Sequence, residues 1–148
     1  MPRDWIAVPD VVPWLNSPPY FVAPADLSRL RSELRAAGFK VFEADADHCT
    51  DERSLLVALG DALPFPDYYG ANWAAFDDCI GDLLREGVGP TALIVMGVDA
   101  LLGADIHAFV RSVHLLSDVV TDVERANSDD FQFEVFFVGE LTFENDES

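Results

Sequence analysis

Apolar residues follow two spacings along this chain, recurring every three or four positions in some stretches and running unbroken in others. The first spacing marks a helix with one buried face, the second a strand covered on both sides. Leu27, Leu30 and Leu34 share one helical face. Asp26 is placed to cap that helix, which should run to about Ala37, and Gly38 to stop it. Leu55, Leu56, Leu59 and Leu63 repeat in the same way behind a cap at Thr50 or Asp51. Asn72 opens a third helix, from Trp73 to about Arg85. A fourth spans about Asp105 to Arg125, with Ile106, Phe109, Val110, Val113, Leu116, Val120 and Val123 expected to face the core. Short strands are expected over residues 20–23 and 39–42, a fully buried one over 91–96 and a last one over 133–138.

Strands alternating with helices argue for an α/β fold: a small, mostly parallel sheet of three or four strands with helical crossovers. The first nineteen residues read as irregular, because Pro2, Pro9, Pro13, Pro18 and Pro19 interrupt them. They are nevertheless too apolar for a free tail, with Trp5, Ile6, Val8, Val11, Val12, Trp14 and Leu15. One domain over 1–148 is expected, in which residues 1–38 form an extension packed on a core at 39–138. That extension could supply a strand through 20–23 and a covering helix. Residues 144–148 form a polar tail expected to fray.

Composition narrows the function. The chain has 27 acidic residues against 9 Lys and Arg, a formal charge of −18. Such a surface repels nucleic-acid phosphates and anionic lipid, and it attracts basic proteins and speeds their encounter. Neither nucleic acid nor membrane is expected as a partner. Half the residues are hydrophobic, enough for a core without disulfides or metal. Two cysteines, Cys49 and Cys79, no signal peptide and no membrane-length apolar run point to a cytoplasmic protein with reduced thiols. A monomer is expected.

Catalytic signals are weak. Asp45, Asp47, His48 and Cys49 lie together after a strand and could in principle hold a divalent metal, which would make the chain a metal-dependent enzyme. Their spacing fits no ligand pattern, and a turn with a small buried cysteine explains them more simply. His107 and His114 are about 10 Å apart along one helix, too far to share a metal. Gly87 and Gly89 precede a strand rather than a helix, and Gly97 and Gly103 read as caps or turns about the short segment 98–102. No catalytic residue, metal site or cofactor is assigned.

The informative stretch is Leu63-Pro64-Phe65-Pro66-Asp67-Tyr68-Tyr69-Gly70-Ala71-Asn72, followed by the helix with Asp77, Asp78, Cys79 and Ile80. Two prolines stiffen the approach, two tyrosines offer contact area, and Gly70 is expected to make a turn closed to other residues. On a helical projection Trp73, Phe76, Ile80, Leu83 and Leu84 gather on one side. Ala71, Ala74, Asp78, Asp82 and Arg85 fall on the other. Asp78 and Asp82 stack as like charges that a cationic partner would relieve.

This stretch resembles the barstar family of intracellular ribonuclease inhibitors. The family pattern of an acidic residue, Tyr-Tyr-Gly, any residue, Asn, and then a helix carrying Asp-Cys appears as Asp67-Tyr68-Tyr69-Gly70-Ala71-Asn72 and Asp78-Cys79-Ile80. The likeness is specific over about twenty residues and extends in element order over 39–138. It implies a non-catalytic inhibitor or immunity protein whose loop and helix plug the cleft of a basic, extracellular-type ribonuclease or a related basic toxin. Asp78 would stand where substrate phosphate binds. The implied contact residues are Tyr68, Tyr69, Gly70, Asn72, Ala74, Asp77, Asp78 and Asp82. The chain departs from the pattern at Ala74, where the family often has a second acid, at Asp77, where a bulky aromatic is usual, and at Gly81, where a threonine falls. A further family acid on the last long helix has candidates in Asp118, Asp122 and Glu124, none of which is assigned. The alternative reading is a barstar-fold module that binds a different basic toxin or regulatory protein.

Overall fold

In a computed structural model the described residues are 6–15, 17–67, 69–86, 89–126 and 131–140. Helices α1 (Val8–Val11) and α2 (Leu27–Ala37) flank strand β1 (Tyr20–Val22). Strand β2 (Lys40–Asp45) leads into α3 (Glu52–Ala62) and α4 (Trp73–Glu86). Then come β3 (Gly89–Met96), α5 (Val98–Ala104), α6 (Ile106–Arg125) and β4 (Phe131–Val138). The four strands form one sheet in the order β1-β4-β3-β2, and every neighbouring pair is parallel.

The topology explains why both faces are covered. The chain crosses the sheet one way between β1 and β2 and returns the other way through β3 to β4. Crossovers of one hand then place the connecting helices on opposite faces. Leu93, Val95, Phe133, Val135 and Phe137 pack with α3 to α6 on one side. Ala92, Ile94, Phe136 and Val138 pack with α1, β1 and α2 on the other. All eight residues of β4 are buried, as a central parallel strand between two layers requires.

The amino-terminal arm belongs to this second layer. Val8 and Val12 enter its core. The arm is not wholly irregular: Pro9 stands in the first turn of α1, where its missing N–H is not needed. Ile6 donates its N–H to Gln132 Oε1 (3.0 Å) and accepts from Gln132 Nε2 (2.8 Å), so a fully buried side-chain amide binds the arm as a neighbouring strand would. Trp14 donates from Nε1 to Glu33 (2.8 Å), and the Arg29 guanidinium lies 4.7 Å above its ring.

Other expectations need correction. Asp26 makes no side-chain cap; it belongs to a 3-10 turn, Pro24–Asp26, through which the chain enters α2. Gly38 does terminate α2, at φ 107°. Strand β2 runs three residues past the expected end, because Glu43 is held by Arg31 on α2 and its charge masked the strand pattern. Gly103 lies within α5 rather than at a turn. Gly89 and Pro90 begin β3 rather than precede it. Ile106 and Val110 are exposed, at 56% and 57%, while Phe109, Leu116 and Val123 of α6 are buried. Phe21, on the edge strand, lies beside Phe109 and Phe137. Cys49 and Cys79 are both buried and free. The polar tail expected at 144–148 lies outside the described residues. Among the described residues no helix is long and apolar enough to cross a membrane.

One buried charge sets a pH dependence. Glu134 is only 9% exposed on β4. Burial raises its carboxyl to about 7, against a hydrogen bond from Gln132 that lowers it and the charge of Glu124 that raises it. The folded protein therefore holds this proton more tightly than the unfolded chain. That contribution is complete below the ordinary value of 4.5 and is lost as pH rises through about 7. Glu134→Gln should leave stability near pH 4 unchanged and raise it near pH 8 by up to ~3 kcal/mol relative to wild type. Urea unfolding at the two pH values checks this; an equal difference at both would refute it.

Candidate functional site

The loop between α3 and α4 is folded on itself by its aromatic residues. Leu63 closes α3 by donating its N–H to Leu59 and is buried. Tyr69 N–H returns to the Pro66 carbonyl (3.1 Å), which makes a turn after the two prolines. Phe65 stacks at a tilt on Tyr69 (5.0 Å) and edge-on to Phe76 (5.4 Å), and Phe76 in turn meets Trp73 (5.7 Å). Phe76 is fully buried. The loop therefore rests on an aromatic stack that grows out of the core.

Tyr69 points inward. Its hydroxyl donates to the Leu56 carbonyl on α3 (2.8 Å), and burial pushes its pKa up to about 12, with a smaller contribution from Cys79. Its ring lies against Gly60, where an added Cβ would sit 2.3 Å from the ring edge. Gly60 is thus a glycine by close approach, inside a helix where alanine would ordinarily gain ~1 kcal/mol. Gly60→Ala should instead lower stability by ~1–2 kcal/mol by driving Tyr69 out. Thermal melts followed by tyrosine fluorescence would read both effects; a raised melting temperature with an unchanged signal would refute the packing.

The residue that takes the left-handed backbone here is Ala71, at φ 53°, and not Gly70. A residue other than glycine in that region marks a constrained turn. Asn72 follows and caps α4, accepting from Ala75 N–H at 2.8 Å. Trp73 donates from Nε1 to Glu52 Oε2 (2.7 Å), and the same oxygen accepts from Arg111 Nε (2.8 Å). One carboxylate at the start of α3 therefore ties the start of α4 to α6.

On α4, Phe76, Cys79, Ile80 and Leu83 are buried. Ala74, Asp77 and Asp78 are exposed, together with Gly70 and Asn72. Among the described residues no cation pairs with Asp77 or Asp78. Asp82 is half-buried and ion-paired with Arg85. The carboxyl of Asp77 is raised, first by desolvation and then by the charges of Asp122 and Asp78. Cys79 is raised by burial and by Asp82 and Asp78. Asp77, Asp78 and Asp122 thus share one field, spanning α4 and α6. Tyr68 lies outside the described residues.

Two grooves flank the loop. One, of about 460 Å³, runs along Arg53, Gly60, Pro66, Asp67 and Tyr69. The other, of about 410 Å³, is lined by Ala71, Asn72, Trp73 and Ala74 together with Glu52, Arg53 and Arg111. No local pattern marks the arginines beside Ala74, and of the three candidate acids on α6 it is Asp122 whose charge reaches Asp77, because both depend on how α6 packs on α3 and α4. The Asp45 to Cys49 segment is a turn: Asp45 Oδ1 accepts Asp47 N–H (3.0 Å), and Cys49 is buried. Among the described residues no three His, Cys, Asp or Glu side chains converge as a metal site would require. His107 and His114 are exposed on α6.

A protein-family model described as barstar, the barnase inhibitor, matches residues 39–138. No curated protein matches the chain.

Proposed function

The chain belongs to the barstar family, and from that premise we propose that it is a non-catalytic inhibitor that blocks the active site of a basic ribonuclease with its 64–72 loop and the outer face of α4. The observation that carries this reading is the exposed carboxylate of Asp78, without a cation among the described residues and standing beside Asp77 and the small Ala74. A nuclease pocket gathers Arg, Lys and His to hold phosphate, and a fixed carboxylate forms charge-assisted bonds with the same groups. Gly70 and Asn72 lie at the surface of the same loop, and Tyr68 and Tyr69 precede them in sequence.

Rigidity supports the reading. The aromatic stack, the Asn72 cap and the Glu52 tie hold the loop before any partner arrives, so little ordering remains on binding. The field of a −18 chain adds a faster approach for a cationic enzyme. The inhibitor would act in the cytoplasm and protect the producing cell from a ribonuclease made for export. Titrating a panel of basic microbial ribonucleases, barnase among them, against the purified protein tests this through loss of RNA hydrolysis. Inhibition of none would overturn it.

A second reading has its own observation. Ala74 stands where the family often has a second acid, and the groove beside it is lined by Arg53 and by Arg111 paired with Glu52. The loss of that acid favours a partner other than a barnase-like enzyme, such as a different basic toxin. Tight binding to a basic protein that lacks nuclease activity would select this reading.

A further inference from the structure

Among the described residues the sheet is only partly paired at one edge. β1 pairs with β4 only through Tyr20–Val22 against residues 136–138. Along residues 131–135, β4 has β3 on one side and, among the described residues, no strand on the other. The arm closes part of this gap by binding Gln132. What remains is a cavity of about 470 Å³ between the arm, the start of β1 and the second half of α6. That volume lies in the ordinary range for small-ligand sites.

The chemistry of the walls is uneven. Pro9, Pro19, Val120 and Phe137 supply apolar surface. Tyr20, Glu124 and Glu134 supply the polar groups. Glu134 is nine-tenths buried, and its Oε2 accepts from Gln132 Nε2 at 3.0 Å. Its Oε1 has no donor, and no cation faces the carboxylate, among the described residues. A buried carboxylate in this position is costly unless a charged donor joins it or a proton neutralises it. Glu124 at the α6 wall adds a second negative charge, so anions are excluded.

We propose that this cavity binds a small amphipathic cation: a primary amine or guanidine whose charged head takes Glu134 and whose hydrocarbon or aromatic body lies on Pro9, Pro19, Val120 and Phe137. The tyrosine hydroxyl of Tyr20 and the carboxylate of Glu124 stand within the same walls, and Tyr20 itself is held neutral to about 12, by burial and then by the charge of Glu134. Binding of a cation requires Glu134 ionised, so uptake releases a proton in the pH range where that group titrates. The site lies apart from the exposed face of α4, and its occupancy does not depend on the inhibitor reading.

Calorimetry on the full-length protein tests this, with phenethylamine and agmatine as probes and 3-phenylpropionate as the anionic counterpart. One-to-one saturable binding of at least one amine is expected, with no binding of the acid. The association constant should rise about tenfold between pH 6 and pH 8, as Glu134 ionises. Glu134→Gln, which keeps the bond to Gln132, should weaken binding at least tenfold. Val120→Phe, which fills the cavity without touching either carboxylate, should abolish it. Asp78→Ala should leave it unchanged. Absence of saturation by ~10 mM amine, equal binding of the acid, or wild-type affinity in either Glu134→Gln or Val120→Phe would each overturn the proposal.

Discussion

Asp78→Ala should weaken inhibition of the target ribonuclease by about 100-fold or more, while Asp26→Ala leaves it unchanged. Truncating one partner of a desolvated, hydrogen-bonded charge pair costs ~2–5 kcal/mol or more, largely because the opposing cations stay buried without a partner. That range comes from charge-pair interfaces in general, the barnase–barstar pair among them, and not from this structure. Asp26 provides the control because it is acidic too, yet it lies in the turn before α2 and makes no cap. Long-range attraction scales with total charge, so both variants lose it equally. Only contact at α4 separates them. Asp78 is exposed and takes no part in the core, so its removal should leave the melting temperature unchanged. Inhibition constants for the two variants within threefold of each other would remove α4 as the inhibitory face.

Removing residues 1–38 should abolish cooperative folding, even though the family match begins at 39. Six buried side chains leave with this segment: Val8, Val12, Tyr20, Val22, Leu30 and Leu34. At ~1.5–3 kcal/mol each, their loss is comparable to the ~5–15 kcal/mol that holds a typical domain together. The truncation also bares Ile94, Phe136 and Val138 across one whole face of the sheet, a patch that invites association. Circular dichroism of a 39–148 fragment should show a broad, non-cooperative melt or aggregation. A sharp melt with native near-ultraviolet signal would show the extension to be an ornament.

Much of this architecture is legible in the sequence because the helices carry clean repeats. Leu55, Leu56 and Leu59 fall where the 3.6-residue period puts them, and Asp51 with Ser54 forms the cap that begins their helix. The run at 91–96 reads as a doubly covered strand, and Thr91 to Val95 are buried. Failures cluster where a side chain serves a distant partner. Glu43 looks like the end of a strand until Arg31 is seen to hold it. Ile106 and Val110 match the helical period but project beyond the neighbours that would bury them. At the site, the residue types of the loop announce a rigid turn, yet which residue bends it is a matter of the whole aromatic stack. Thus Ala71 bends where Gly70 was expected. Tyr69 is read as contact area when its hydroxyl is committed to Leu56. The cluster of Asp77 with Asp122 has no local signal, since 45 positions of chain separate the two.

The two outer strands have a further consequence. β1 is three residues long, and β2 carries Lys40, Glu43 and Asp45 along its length. Open strand edges normally recruit other edges into fibrils, and short or charged borders are how natural sheets refuse them. A sheet bordered in this way can therefore remain dispersed at high concentration.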